Sequence, residues 1–194
     1  MENTQTNTHK AHLRVRALTE GALMVAIAQL LSYLKLFGDM VNGGSITFAA
    51  FPLILYALRW GLGRGLIASF AFGVLQMIFD GAYAWGWQSM LLDYIVAYTP
   101  LGLAGLFKGR AWGIFPGAVL GNTVRFIVHF ISGVTIYRIY EPTEVLNLGV
   151  YDDAVVYSLV YNGAYMLPCL VLTVLAAAVL YVPLKKHYAG QDLR

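Results

Sequence analysis

Three long apolar stretches of the sequence each contain a strongly polar side chain that could bind a small molecule. Asp93, His129 and Asn162 offer a carboxylate, an imidazole and an amide within otherwise mostly apolar segments. A charged group at the centre of a bilayer costs roughly 2.5–3.5 kcal/mol on insertion scales, so such residues indicate function. With nearby aromatic rings, they could hold a flat, cationic or hydrogen-bonding heteroaromatic ligand.

The three groups lie at a similar depth if these stretches are membrane-spanning helices. At the helical rise, Asp93 lies roughly 9 Å from the outer end of its helix, and His129 and Asn162 each lie roughly 12 Å from theirs. Structural polar residues with unrelated roles would have no reason to share one depth. We therefore predict a pocket in the outer half of the membrane, between the helices that carry these residues.

Small, polar and aromatic residues accompany the three groups. His129, Gly133 and Tyr137 recur at four-residue spacing and therefore share one helix face. Gly133 removes side-chain bulk where a ligand or another helix could approach. Further candidates come from the sixth stretch and from the loop before the fourth: Tyr157, Ser158, Tyr161, Tyr165, Tyr83, Trp85 and Trp87.

The same residues also allow structural interpretations. Outer tyrosines and tryptophans are typical of the aromatic belt at a membrane interface. Asn162 could hydrogen-bond one helix to another, and His129 could be a satisfied polar group of the interior. Arg125, one turn from His129, could pair with a carboxylate, line the cavity or extend to the interface.

Six apolar stretches must position these groups, at roughly 17–37, 45–58, 65–79, 88–107, 112–137 and 154–184. A full span needs about 20 residues, so the second and third fit short, tilted helices that neighbours shield. The first is too long for the core of a signal peptide and indicates a retained helix. Pro168 and Pro183 could kink or end the last stretch.

Composition favours lipid as the surroundings of this chain. Apolar residues make up 59% of the sequence and charged residues 12%, about half the share of a soluble domain. We predict an all-α integral membrane protein with six transmembrane helices. Residues 1–16 would be a cytoplasmic segment, 17–186 a single substrate-binding domain and 187–194 a cytoplasmic tail. The single cysteine, Cys169, excludes a disulfide framework.

Basic residues give the predicted orientation. With six helices and a cytoplasmic amino terminus, ten Lys and Arg residues fall on the cytoplasmic side, and Lys35 and Arg138 fall outside. Both termini are then cytoplasmic. This distribution explains the net charge of +3, and no basic run with interleaved aromatic residues indicates nucleic acid as a partner.

The sequence lacks the common motifs of catalysis. It contains neither a G-x-x-x-x-G-K-[ST] phosphate loop nor an H-E-x-x-H metal site, and His129 has no serine in a nucleophile elbow nearby. These observations predict a binding protein that is not an enzyme and that needs no metal or cofactor. ATP hydrolysis by a phosphate loop would have to come from another subunit.

Three segments carry a family resemblance: LLDYIVAYTPLGLAGLFKG, RFIVHFISGVTIY and YSLVYNG. They resemble the thiamine-specific S-components, which are the substrate-binding membrane subunits of energy-coupling factor (ECF) transporters. The resemblance extends from Leu18 to about Lys186. It implies the S-component fold, thiamine captured from outside as the ligand, and a transporter completed by a transmembrane coupling subunit and two ATPase subunits.

The resemblance also implies individual contacts. The implied thiamine-binding residues are Asp93, Tyr94, His129, Gly133, Tyr137, Tyr157, Asn162 and Tyr83. Asp93 would face the positive charge or the aminopyrimidine donors of the ligand. Tyr157 and Asn162 would contact the pyrimidine edge, while His129 and Tyr137 stack or pair against the rings. In LTEGALMVAIAQ, Ala22 and Ala26 match the A-x-x-x-A element that S-components present to the coupling subunit.

Three positions depart from the family pattern, and they keep other functions open. Glutamate is expected where this chain has Asp93, and tryptophan is expected at Tyr137 and within the first outer loop at 42–45. An S-component for a thiamine precursor or another vitamin is therefore an alternative. Another is a self-sufficient, proton-coupled carrier that uses Asp93 and His129 as a relay. A membrane enzyme or assembly factor has no supporting motif.

Overall fold

The computed structural model describes residues 2–40, 43–80, 86–136 and 152–193 of the chain. Within these ranges the structure is helical, apart from loops and an isolated β-bridge between Asp39 and Ser45. The helices are α1 (Glu2–Tyr33), α2 (Ala50–Trp60), α3 (Leu62–Phe79), α4 (Trp87–Phe107), α5 (Ala111–Ile136), α6 (Ala154–Val179) and α7 (Tyr181–Tyr188), followed by a 3₁₀ turn at Gln191–Leu193. The predicted all-α class is confirmed.

Five of these helices are long and apolar enough to cross a membrane: α1 over Lys10–Tyr33, and α3, α4, α5 and α6. Helix α2 has 11 residues, about 16 Å at the helical rise, against the roughly 30 Å of a hydrocarbon core. All of its residues are buried, so helices rather than lipid surround it. This agrees with a short, shielded second helix, whereas six complete spans stay a prediction.

One predicted boundary is wrong, while the expected break near Pro183 is confirmed. Helix α1 begins at Glu2 rather than at residue 17, because the polar residues 2–16 contain neither Gly nor Pro and can continue the helix. The stretch 154–184 divides at Leu180 into α6 and α7. Pro183 has no N–H to donate to the carbonyl of Val179, which accounts for a break there. Pro168, in contrast, lies inside α6.

Helix α4 changes its winding along its length. It begins as an α-helical turn at Trp87–Met90, continues as a π-helical segment at Leu91–Val96, and ends as a 3₁₀ helix at Thr99–Phe107. A side chain at Gly102 or Gly105 would overlap the backbone of α3, so both glycines permit the close packing of these two helices. The wide π turn carries Asp93, and π-helical turns are frequent at functional sites.

The interior and the surface of the bundle are both apolar. Leu53, Ile54 and Leu58 of α2 are fully buried in the main core, together with Phe72 and Leu101. The outward faces of the long helices expose large aliphatic side chains, among them Leu23, Ile67, Ile131, Leu167 and Val171. Because extended apolar faces of this kind are unfavourable in water, lipid is the surrounding medium.

Candidate substrate-binding pocket

A polar pocket lies between α1, α3, α4, α5, α6 and the loop at 43–47. Six of the eight predicted contacts line it: Asp93, Tyr94, His129, Gly133, Tyr157 and Asn162. The other two, Tyr83 and Tyr137, lie outside the described residues, as does Trp85. The prediction that polar groups of three helices converge on one cavity therefore agrees with the structure.

Asp93 is one of the two carboxylates, with Asp80, that line this pocket. Its Oδ2 atom accepts hydrogen bonds from Ser89 Oγ at 2.7 Å and from Ser132 Oγ at 3.0 Å. Its Oδ1 atom lies 3.1 Å from His129 Nδ1, and its side chain is 18% exposed. The two serines hold the carboxylate in one orientation, and a carboxylate oxygen has capacity for a further donor from a ligand.

One ring nitrogen of His129 is hydrogen-bonded, and the other has no hydrogen-bond partner among the described residues. Because its Nδ1 faces the Asp93 carboxylate, that nitrogen carries the hydrogen and donates it. Its Nε2 is buried and has no hydrogen-bond partner among the described residues. An unpaired buried nitrogen costs free energy, and a ligand group that bonds to it would remove that cost.

Asn162 joins α6 to α5 and also lines the pocket. Its Nδ2 donates to the Ser158 carbonyl at 2.9 Å and to the His129 carbonyl at 3.4 Å, and its Oδ1 accepts from Tyr165 Oη at 3.1 Å. The two sequence interpretations, a helix-to-helix contact and a pocket residue, therefore both hold geometrically. A methyl group at Gly133 would overlap Ser158, so this glycine serves the approach of the two helices.

Tyrosines of α6 form one wall of the pocket. Tyr157 and Tyr161 stack with ring centroids 5.7 Å apart and planes 16° apart, and Tyr161 meets Tyr165 edge to face at 5.7 Å. Tyr161 Oη accepts a hydrogen bond from the backbone N–H of Gly44 at 2.9 Å, which holds the loop 43–47 against this wall. The arrangement offers aromatic faces to a flat ligand.

Arg125 lines the pocket, which selects one of the three roles left open by the sequence. Its guanidinium carbon lies 4.2 Å from the centre of the Tyr98 ring, an arrangement typical of a cation–aromatic contact. Within the described part of the chain it forms no salt bridge, and its Nε atom is buried without a partner. The side chain is 7% exposed.

Sequence reasoning missed a second polar group in the same pocket. Gln76 Nε2 donates to Gln29 Oε1 at 2.9 Å and to Ser32 Oγ at 2.8 Å, joining α3 to α1. Close by in the lining, Tyr94 Oη donates to Asp80 Oδ2 at 3.0 Å. The depth comparison could have found Gln29 and Gln76, since each lies three or four residues from the end of its helix that borders the pocket.

Trp87 does not take the predicted place beside the ligand. Its side chain is 65% exposed and does not line the pocket, so the interfacial-belt interpretation fits this residue. Among the described residues the cavity has a volume of about 80 Å³.

The chemistry of the pocket is recognition. No group of three or more His, Cys, Asp or Glu side chains that could hold a metal ion occurs among the described residues. The pocket offers a carboxylate, an imidazole nitrogen, an amide and aromatic faces inside a bundle with lipid-facing sides. These features define a multi-pass membrane protein that binds a small polar ligand, as transport proteins do.

Comparison with known proteins identifies the family. The model of the thiamine transporter protein family (Thia_YuaJ) matches residues 18–189. The thiamine transporter ThiT of Bacillus subtilis is 29% identical over 85% of this chain and 90% of its own length, and ThiT of Lacticaseibacillus paracasei is 28% identical over 93% and 94%. The chain belongs to the thiamine transporter protein family.

A solved structure agrees with this assignment at the level of the fold. ThiT from Listeria monocytogenes superposes with a TM-score of 0.76 at 22% identity, over 90% of this chain and 98% of that chain. The predicted family resemblance is thus confirmed. The chain is a multi-pass protein of the bacterial plasma membrane, and its relatives are transporters rather than enzymes.

Proposed function

We propose that the chain is the thiamine-binding subunit of an ECF-type importer and that the polar pocket is its thiamine site. Thiamine carries a cationic thiazolium ring, an aminopyrimidine with donor and acceptor atoms, and a hydroxyl group. The observation that carries the proposal is Asp93, a carboxylate held by two serines at the wall of an otherwise apolar bundle. A ligand with a positive charge or several N–H donors stabilises such a group.

His129 and Asn162 would orient the ligand. With Nδ1 donating to Asp93, the neutral His129 ring has an acceptor at Nε2 for the amino group or the hydroxyl group of thiamine. Asn162 would present its amide to the pyrimidine edge beside Tyr157. The tyrosines of α6 would stack against the rings, and Tyr83 and Tyr137, if they contact the ligand as the family resemblance implies, would complete the enclosure.

Arg125 limits where the thiazolium ring can lie. A guanidinium repels a cationic ring, and this one is buried with its charge held against Tyr98. The thiazolium should therefore lie toward Asp93 and the tyrosines, away from Arg125. A shorter carboxylate than the family's glutamate would move this charge by about one methylene, which makes affinity the property most sensitive to the Asp93 position.

The proposed transporter needs other subunits. We expect six helices to cross or enter the bilayer with both termini in the cytoplasm, so that the pocket opens outward. Ala22 and Ala26 are exposed on α1. Small exposed residues four apart allow another helix to approach closely, which suits a transmembrane coupling subunit that works with two ATPases.

Calorimetric titration of the detergent-purified chain with thiamine tests the ligand. We expect saturable binding at submicromolar concentration, which Asp93→Ala and Asn162→Ala abolish while a thermal unfolding control shows intact folding. Competition with a pyrimidine precursor, a thiazole precursor and unrelated vitamins defines specificity. Binding of another vitamin in place of thiamine would reassign the substrate, and absence of any heat with thiamine would remove the assignment.

A proton-coupled carrier is a second candidate because His129 Nδ1 and Asp93 Oδ1 lie 3.1 Å apart and could share a proton. Uptake of labelled thiamine into vesicles distinguishes the two mechanisms. The ECF proposal expects uptake only when the coupling subunit and ATPases are present with ATP. Uptake by this chain alone, driven by a pH gradient and lost in Asp93→Asn, would favour the carrier.

A further inference from the structure

A second cavity, of about 390 Å³, lies among the other ends of the helices and is lined by cations. Five basic side chains from three parts of the chain converge on it, together with Trp60: Lys10, Arg14, Arg59, Arg64 and Lys108. No carboxylate belongs to its lining among the described residues. We refer to this cavity as the basic pocket.

The charges of the basic pocket are unequally compensated. Arg59 is 3% exposed and is paired with Glu20 at 2.5 Å and with Asp192 at 3.0 Å. Within the described part of the chain, none of the other four cations forms a salt bridge. Like charges that converge on one cavity repel each other, so their placement indicates an anionic ligand.

Lys108 and Arg64 are held in place at the edge of the pocket. Lys108 Nζ donates to the Trp60 carbonyl at 3.4 Å, and its aliphatic chain passes over Gly61, which has φ +92° and no side chain to obstruct it. The Arg64 guanidinium lies 5.0 Å from the centre of the Trp60 ring. Trp60 itself also belongs to the lining.

The surroundings of the basic pocket are typical of a membrane interface. Leu106 is 59% exposed and Trp112 is 52% exposed, and both lie within four residues of Lys108 along the chain. Arg110 lies over the Trp112 ring at 5.8 Å. Exposed apolar and tryptophan side chains beside cations match the boundary between acyl chains and headgroups. A ligand here can place an anion among the cations and an acyl chain along the bundle.

We propose that the basic pocket binds the phosphate headgroup of an anionic phospholipid from the leaflet at this end of the protein. Basic pockets between transmembrane helices on the cytoplasmic side are known to hold such headgroups. The phosphodiester would accept hydrogen bonds from Arg64, Lys108 and Arg14. Bound lipid would connect α1, the α2–α3 turn and the turn after α4, and so stabilise the bundle at this end.

Native mass spectrometry of the full chain, delipidated in a neutral detergent, tests this proposal. Phosphatidylglycerol and phosphatidylcholine with the same acyl chains are the two lipid probes, and glycerol 3-phosphate and inorganic phosphate are the soluble ones. We expect the protein to retain phosphatidylglycerol in preference to phosphatidylcholine. Comparable retention of the soluble phosphates would overturn the lipid assignment in favour of a free phosphate.

Variants locate the site. Each cation removed should weaken phosphatidylglycerol binding about fivefold, so Arg64→Gln with Lys108→Gln should weaken it about 25-fold. The matched control is Lys185→Gln with Lys186→Gln, which removes the same charge from exposed positions of α7 outside the pocket. Equal lipid retention in the two double variants contradicts the proposal. If the pocket variant fails to fold, exposed Lys10→Gln with Arg14→Gln provides the same comparison.

Discussion

The Arg59 network at one end of the helix bundle and the polar pocket at the other differ in how fully their buried polar groups are hydrogen-bonded. At the end that holds the chain termini, Arg59 donates to both oxygens of Glu20, to both oxygens of Asp192 and to the carbonyl of His187. Each of its three nitrogens is thus bonded. In the polar pocket, Arg125 Nε and His129 Nε2 are buried without partners among the described residues.

This difference separates a structural network from a binding site. A buried ion network contributes to the structure when every donor and acceptor is satisfied, as at Arg59. A binding site keeps some donors and acceptors unsatisfied, at a cost in stability, so that a ligand can bond to them. Substitutions at the Arg59 network should therefore change stability without changing thiamine affinity, and substitutions in the polar pocket should mainly change affinity.

Replacement of Arg59 should give the largest effect. Arg59→Leu leaves Glu20 without its cation and removes one of the cations that Asp192 contacts, and loss of one partner from a buried ion pair costs about 3–5 kcal/mol. We expect a clear fall in the thermal unfolding midpoint in detergent, while the protein that remains folded binds thiamine as the wild type does. Arg110→Leu is the matched control, since Arg110 belongs to no salt bridge in the described residues.

A loss of thiamine affinity in Arg59→Leu at unchanged stability would contradict the distinction between a structural network at Arg59 and a binding site in the polar pocket. It would mean that the two ends of the bundle are coupled energetically, for example through α2, which ends at Trp60 beside Arg59. Titration at several temperatures below the unfolding midpoint distinguishes such coupling from a loss of folded protein.

Neutralisation of Asp93 should lower thiamine affinity while it leaves stability nearly unchanged, the opposite of the effect expected for Arg59→Leu. Asp93→Asn keeps the size of the side chain but removes the charge, and we expect thiamine affinity to fall about 100-fold, equal to about 2.7 kcal/mol. The thermal midpoint should change little, because the amide can still bond to the serines. Asp152→Asn removes an exposed carboxylate that does not line the pocket, and calorimetry should show unchanged affinity.

Gly133 tests whether the pocket tolerates a change in helix spacing. A methyl group there would overlap Ser158, so Gly133→Ala should separate α5 from α6 and destabilise the protein by about 1–3 kcal/mol. Because Asn162 bonds to Ser158 and to the His129 carbonyl, thiamine affinity should fall as well. At Gly163 an added methyl meets no atom within 4 Å, so Gly163→Ala is the control, and similar losses in both variants would refute the packing argument.

The sequence predicted the polar pocket better than the network that holds the chain ends. Asp93, His129 and Asn162 were detectable because each is costly in lipid and lies in a long apolar stretch. Gln29 and Gln76 are uncharged amides like Asn162, but they lie in the first and third apolar stretches, outside the three segments that carry the family resemblance. Their mutual hydrogen bond depends on how α1 packs against α3, which no local pattern specifies.

The missed elements share a physical cause, since they depend on contacts between residues far apart in the chain. Asp192 lies 133 residues from Arg59, and in the sequence it is one acid in a polar tail. The predicted cytoplasmic segment 1–16 and tail 187–194 were defined by polarity alone, although Arg16 and Asp192 form a salt bridge that joins them.

The smallest predicted effect is a pH dependence of stability at the same network. Hydrogen bonds from the Arg59 guanidinium lower the pKa of the Asp192 carboxyl from 3.8 to about 2, with help from Arg16, and His187 lies 3.5 Å away. A lowered folded-state pKa contributes stability that is present above about pH 4 and is lost as the pH falls toward 2. Because the side chain is 26% exposed, solvent screening should keep this contribution at about 1 kcal/mol or less. Thermal midpoints of the wild type and Asp192→Asn should therefore differ at pH 6 and converge only as the pH falls to about 2. Asp152→Asn, which removes an exposed carboxylate elsewhere, should track the wild type throughout. A constant gap between wild type and Asp192→Asn down to low pH would show that Asp192 stabilises the chain end by packing or backbone contacts rather than by its charge.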